Sequence, residues 1–180
     1  MRTRTTNLSN LVTDAMKDYT GADIVITNGG GIRASLPAGD ITMGGVYTVL
    51  PFDNTLVVLE LDGAGILKAL EHGLKLYPEQ NGAFSQVAGL TAKFDPAAPV
   101  GSRVLEVMVG DELLDLNKKY TVATNDFMAA GGDGYEWFMS APVLFNAGDM
   151  LRDILANYLM ARGQLAPSDV SSEPRLIPVK

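Results

Sequence analysis

Leu8, Leu11, Val12, Ala15, Met16 and Tyr19 recur at the spacing that lines one face of an α-helix. Asn7 stands before this run as the predicted N-cap, and Gly21 behind it as the stop. The pattern then changes. Ala22–Thr27 is a short, nearly continuous apolar run that reads as a buried strand and leads straight into Asn28-Gly29-Gly30-Gly31-Ile32-Arg33. A short helical stretch is expected around Met43–Leu50, ended by Pro51, and a central strand over Thr55–Leu61. Asp62 caps a second long helix with Ile66, Leu70, Leu74 and Tyr77 on one side. Leu90–Phe94, Val104–Val109 and Tyr120–Asn125 read as strands, with a loop over Asp95–Ser102. A second glycine cluster follows, Gly131-Gly132-Asp133-Gly134. Met150, Leu151, Ile154, Leu155, Tyr158 and Leu159 mark a C-terminal helix, and Leu176–Val179 a last strand.

Helices and strands alternate irregularly, with consecutive strand pairs. This favours an α+β domain built on a mixed β-sheet flanked by helices over a strictly doubly wound fold. No repeat or long linker divides the chain, so residues 1–180 are expected to form a single domain, and its abrupt ends suggest a fragment of a larger protein. The 47% hydrophobic content is enough to fill a core. A net charge of -7 argues against a general nucleic-acid or anionic-membrane binder, which needs a basic field. With no cysteine there is no disulfide, thiolate zinc site or cysteine nucleophile, and one histidine cannot build a His-based metal cluster. No apolar run approaches the ~20 residues of a membrane span, and the polar opening Met1–Asn7 is no signal peptide.

Chemistry is sought where strands run into glycines. A glycine loop lets backbone N–H groups face an anion, and Arg33 adds a planar cationic fork suited to phosphate. The spacing is neither a Walker A loop nor a dinucleotide fingerprint, and a tight turn with a surface arginine explains it equally well. If Arg2–Thr5 is extended, Arg2 and Arg4 share a face and could join Arg33; a frayed terminus is the alternative. Phe52 and Phe127 both stand among turn residues, where they either clamp a planar base by stacking or cap minor apolar clusters. Asp133 has the form of a ribose-diol acceptor or of an ordinary turn Asp. His72 has no nucleophile signature beside it and reads as structural or surface. No complete catalytic apparatus and no metal site is found.

The ordered set is more telling than its members. Arg2-Thr3-Arg4 through Leu11, Asn28-Gly29-Gly30-Gly31-Ile32-Arg33, Leu50-Pro51-Phe52-Asp53-Asn54, Phe84-Ser85-Gln86-Val87-Ala88-Gly89 and Asn125-Asp126-Phe127 through Tyr135 follow one another over essentially the whole chain. Together they closely resemble the C-terminal domain of the 5'-nucleotidase family, which includes periplasmic UDP-sugar hydrolases and surface ecto-5'-nucleotidases. The resemblance implies that Arg33 and Arg2 bind phosphate, with Arg4 matching less securely. It implies that Phe52 and Phe127 sandwich the nucleobase, that Asn28 and Asn54 bond the base or line its pocket, and that Gly82 makes a backbone contact. It implies, too, that Asp133 holds the ribose hydroxyls. Asp53 departs from the family, where many members have glycine, and this bears on the loop that carries Phe52.

The resemblance also implies what lies elsewhere. The family carries two divalent metal ions and its catalytic His-Asp pair on an N-terminal metallophosphatase domain, so no cofactor and no catalytic residue is expected in this chain. Its expected partners are a nucleoside or nucleotide and that N-terminal domain, with no nucleic acid and no membrane span. The parent would be exported, to the periplasm or a cell surface. The alternatives are the C-terminal domain of a 2',3'-cyclic nucleotide phosphodiesterase or related hydrolase, and a non-catalytic interaction module.

Overall fold

The computed structural model describes residues 1–179; Lys180, the last residue of the expected domain, lies outside them. The chain forms α1 (Asn7–Thr20), β1 (Ile24–Asn28), α2 (Met43–Val49), β2 (Leu56–Asp62), α3 (Gly63–Leu74), β3 (Ser85–Ala88), β4 (Leu90–Phe94), β5 (Val104–Val109), β6 (Glu112–Leu113), β7 (Lys119–Asn125), α4 (Asp126–Ala129), β8 (Val143–Phe145), α5 (Leu151–Arg162) and β9 (Leu176–Pro178). Short 3-10 turns occupy Gly29–Gly31, Gly132–Gly134, Glu136–Ser140 and Pro167–Asp169.

The fold is α+β, with two mixed sheets where a single one was expected. The first has the order β3-β1-β7-β2-β8 and the second β6-β5-β4-β9. The chain passes from one sheet to the other at Gly89, between β3 and β4. Period-2 alternation sorts the first sheet's side chains onto two faces. Val25, Leu56, Val58 and Ala123 pack with Leu11, Met16, Val49, Ile154 and Leu155 of the helices α1, α2 and α5. Ile24, Ile26, Val57, Leu59 and Val122 pack on the other side with α3 and with Leu90, Phe94 and Val107 of the second sheet. Covering both faces explains why β1 and β2 read as unbroken apolar runs.

Local chemistry shifts some predicted boundaries. Thr6, not Asn7, is the N-cap of α1: its hydroxyl accepts from the Ser9 N–H at 3.1 Å, and the Ser9 hydroxyl accepts from the Thr6 N–H at 2.8 Å. That reciprocal pair satisfies two otherwise unpaired donors, which Asn7 cannot do from inside the first turn. Asp62 does cap α3, accepting from Gly65 N–H at 2.8 Å. The helix ends at Leu74, so Tyr77 reaches the core from the following turn, edge-on to Phe94 at 4.9 Å between ring centroids. Three strands carried no legible pattern. β3 is short and half polar, β6 has only two residues, both exposed, and β8 is exposed at all three residues.

Candidate functional site

The register of the first sheet decides which loops meet. Leu56 at the start of β2 pairs with Asn125 at the end of β7, so residues just before Leu56 lie beside residues just after Asn125. Asp126 locks the junction: its N–H donates to the Thr55 carbonyl at 2.9 Å, and its Oδ1 accepts from Thr55 N–H at 3.1 Å. β1 runs parallel to β7, so Asn28 and the Gly29–Gly31 turn emerge at the same rim. Such strand ends are where α/β sheets hold ligands.

One open cleft of about 250 Å³ forms there. Arg2, Asn28, Arg33, Phe52, Asn54, Gly82, Phe127 and Asp133 all line it, and Gly30 and Gly31 complete its wall. Phe52, in the loop after Pro51, is 49% exposed, and Phe127 is 44% exposed. Phe127 was expected in a loop; it sits instead on the one-turn helix α4, capped by Asn125 Oδ1 accepting from Met128 N–H at 2.8 Å. Leaving two phenylalanine faces in water forgoes burial that is ordinarily favourable.

The cationic side of the cleft comes from two segments. Arg33 lies with its guanidinium 5.9 Å from the Phe52 ring centroid, and its Nη1 donates to Gly30 carbonyl at 3.3 Å. Arg2 does not lie on a strand. Its segment bends against β3, where Gln86 Nε2 donates to the carbonyls of Met1 at 2.8 Å and Arg4 at 3.0 Å. The Arg2 carbonyl accepts from Asn81 N–H at 3.1 Å. Such anchoring excludes a frayed terminus and delivers Arg2 to the cleft. Arg4 is exposed and is not among the cleft-lining residues, because the expected strand alternation is absent.

The floor is a polar relay. Asn125 Nδ2 donates to Thr27 Oγ1 and to Asn28 Oδ1, each at 3.0 Å, and Asn28 Nδ2 donates to Asp133 Oδ2 at 2.7 Å. Asn28 thus lines the cleft with both amide groups already engaged. Asp133 is the one non-glycine residue with positive φ among the described residues, at φ 54° and ψ 16°. Gly82 accepts from Gly30 N–H at 2.8 Å. A Cβ on Gly30 would sit 3.0 Å from the Gly82 Cα, so a side chain at position 30 would force the two loops apart. Tyr135 supports this region from below, its hydroxyl donating to Ala83 carbonyl at 2.7 Å. Burial pushes its phenol pKa up, which keeps the donor protonated.

Comparison with known proteins then decides the family. The model of the "5'-nucleotidase, C-terminal domain" family matches residues 1–140. This chain belongs to that family. A trifunctional nucleotide phosphoesterase of Bacillus subtilis, YfkN, is 48% identical over 150 residues, covering 78% of this chain and 10% of that protein. The UshA protein of Yersinia enterocolitica is 33% identical over 177 residues, covering 98% of this chain and 31% of that protein. Among solved structures, a 5'-nucleotidase precursor from Thermus thermophilus superposes with a TM-score of 0.92 at 41% identity, over 99% of this chain and 36% of that one. The chain therefore spans between 10% and 36% of the length of these three relatives.

Asn125, Gln86 and Asp126 belong to the quoted motifs but carried no predicted role, although all three shape the cleft. Their partners lie tens of residues away, and spacing along the chain carries no signal of such contacts.

Proposed function

We propose that this domain grips the nucleotide for a metal-dependent 5'-nucleotidase or UDP-sugar hydrolase. Phe52 and Phe127 sandwich the nucleobase, Asp133 accepts hydrogen bonds from the ribose diol, and Arg33 and Arg2 hold the phosphate. Asn54 and Gly82 close the pocket around the base, and Asn28 keeps Asp133 aimed. The observation that carries this reading is the convergence of two exposed aromatic rings, a carboxylate and two guanidinium groups on one cleft. These are the three chemistries a mononucleotide presents: a flat ring, a diol and an anion. The names of the relatives add support, since one is called a nucleotide phosphoesterase and one a 5'-nucleotidase.

Among the described residues, no group of three or more His, Cys, Asp or Glu is placed to hold a metal ion. The residues of this chain do not fit the family's two divalent ions, so no bond-breaking step is assigned to them. In this reading the ions and the catalytic residues belong to a separate N-terminal metallophosphatase domain of the parent, a phosphoric ester hydrolase of nucleotide catabolism. The chain alone is then a binding module of one domain over residues 1–180. The parent is exported to the periplasm or cell surface; no helix among the described residues is long and apolar enough to cross a membrane.

Calorimetric or ligand-observed NMR titration with adenosine and AMP tests the reading. The Kd is expected in the high micromolar to millimolar range, because one domain supplies only part of the contacts against the full association cost. Phe52→Ala and Phe127→Ala should each weaken binding by ~1–3 kcal/mol. Unchanged affinity in both variants would remove the base clamp.

A further inference from the structure

His72 lies outside the cleft, on α3, yet it touches the backbone of the residue that matters most to the sugar. Its Nε2 is 2.8 Å from the Asp133 carbonyl oxygen. A carbonyl only accepts, so Nε2 carries the hydrogen and donates. Lys75 Nζ lies 3.4 Å from the same nitrogen. With that nitrogen committed as donor, the ammonium has no lone pair to bond and acts only as a nearby positive charge. That charge and the one on Lys68 oppose a second proton on the ring, as does burial, which is the main cause of a lowered His72 pKa.

The ring has little freedom to leave. Tyr135 packs edge-on to it at 4.7 Å between centroids, and Trp137 does so at 5.5 Å. Gly134 has φ +86°, and a Cβ there would sit 2.8 Å from His72 Cε1, so glycine at 134 is what admits the imidazole to the loop. Asp133, one residue earlier, holds the left-handed backbone that L side chains avoid. Such a conformation persists only where its surroundings over-determine it. Two bonds do so here: Asn28 Nδ2 on the carboxylate and His72 Nε2 on the carbonyl.

We propose that His72 is a positioning residue, which by donating to the Asp133 carbonyl holds that residue in its left-handed conformation and aims its carboxylate into the cleft. His72 thereby sets the preference for a ribose over a deoxyribose without touching either. The inference rests on the diol-binding role proposed above for Asp133.

The test is a set of titrations with adenosine and 2'-deoxyadenosine on the unmodified chain and on His72→Ala, His72→Gln and Asp133→Ala. The unmodified chain should prefer adenosine by roughly tenfold, the scale of a hydrogen bond to a charged group, and Asp133→Ala should abolish the preference. His72→Ala should reduce the preference to within about twofold, since Asn28 then holds the carboxylate with no bond fixing the left-handed backbone that carries it. Gln places its Nε2 at the same number of bonds from Cα as His does, so His72→Gln should restore most of the preference. A general loss of structure would weaken both nucleosides alike and leave their ratio unmoved. Should His72→Ala fail to fold, His72→Asn, whose amide is too short to reach the carbonyl, takes its place. A full preference in the Ala or Asn variant, with none in Asp133→Ala, overturns the His72 proposal alone. Failure of Gln to rescue overturns the hydrogen bond as its cause. A full preference in Asp133→Ala, or none in the unmodified chain, overturns the diol reading and this proposal with it.

Discussion

Phe52 and Phe127 stand exposed on the cleft as aromatic residues among turn formers, with little helix or strand core to fill. Asp133 lines the same cleft as a short carboxylate inside a glycine cluster. What could not be read was their support. Asn28 reaches Asp133 across 105 residues of chain and His72 across 61, and no local pattern encodes either contact. The half-buried His72 also has a measurable consequence. Its folded-state pKa lies below the ordinary 6.5, chiefly through burial, with the positive charges of Lys75 and Lys68 adding to this while the Asp133 carbonyl opposes it. On acidification the unfolded chain therefore takes up a proton at this site before the folded chain does. This contribution to stability is present above about pH 6.5 and is lost as the pH falls from there through the lowered folded value. Denaturant unfolding across pH 5 to 8 should show a shallower loss in His72→Gln than in the unmodified chain. Parallel curves for the two would contradict the assignment.

At the scale of elements, the long periodic segments were readable, as were the short α2 and β9, but β3, β6 and β8 were not. α1, α3 and α5 announce themselves by a buried stripe at helical spacing, and β1 and β2 by apolar runs. β3 and β8 lack the length or the apolar content to signal, yet β3 carries Gln86 and so decides where Arg2 lies. Element contacts also explain the departure at position 53. Asp53 Oδ1 pairs with Arg152 Nη2 of α5 at 2.6 Å, and the Arg152 guanidinium stacks on Tyr47 of α2 at 4.7 Å. The charge thus ties the Phe52 loop to two helices where a glycine would leave it untethered. Asp53 is largely exposed, so Asp53→Gly should cost no more than ~1 kcal/mol of stability. It should nonetheless weaken adenosine binding by loosening the ring behind it, as titration would reveal; equal affinity would show that the loop is held without the pair. In the core, Leu70→Ala should cost ~2–5 kcal/mol in chemical denaturation, because Leu70 is fully buried beneath the first sheet.

For the whole molecule, the register of two strand pairs converts scattered motifs into one site. Leu56 against Asn125 brings the Phe52 loop beside α4 and its Phe127, and β1 beside β7 adds the glycine turn and Asn28. A slip of one residue would turn those side chains to opposite faces. The net charge of -7 gives an anionic ligand no long-range help, so Arg2 and Arg33 must act locally, at contact distance. That places the whole account on the cleft itself. The most direct measurement is an AMP titration of the isotope-labelled chain followed by backbone amide NMR. The shifts should concentrate at Gly30, Gly31, Gly82, Phe127 and Asp133, around the cleft. Shifts gathered instead along the separate groove between Ile41–Met43 and Met160–Leu165, or no shifts at saturating AMP, would contradict it.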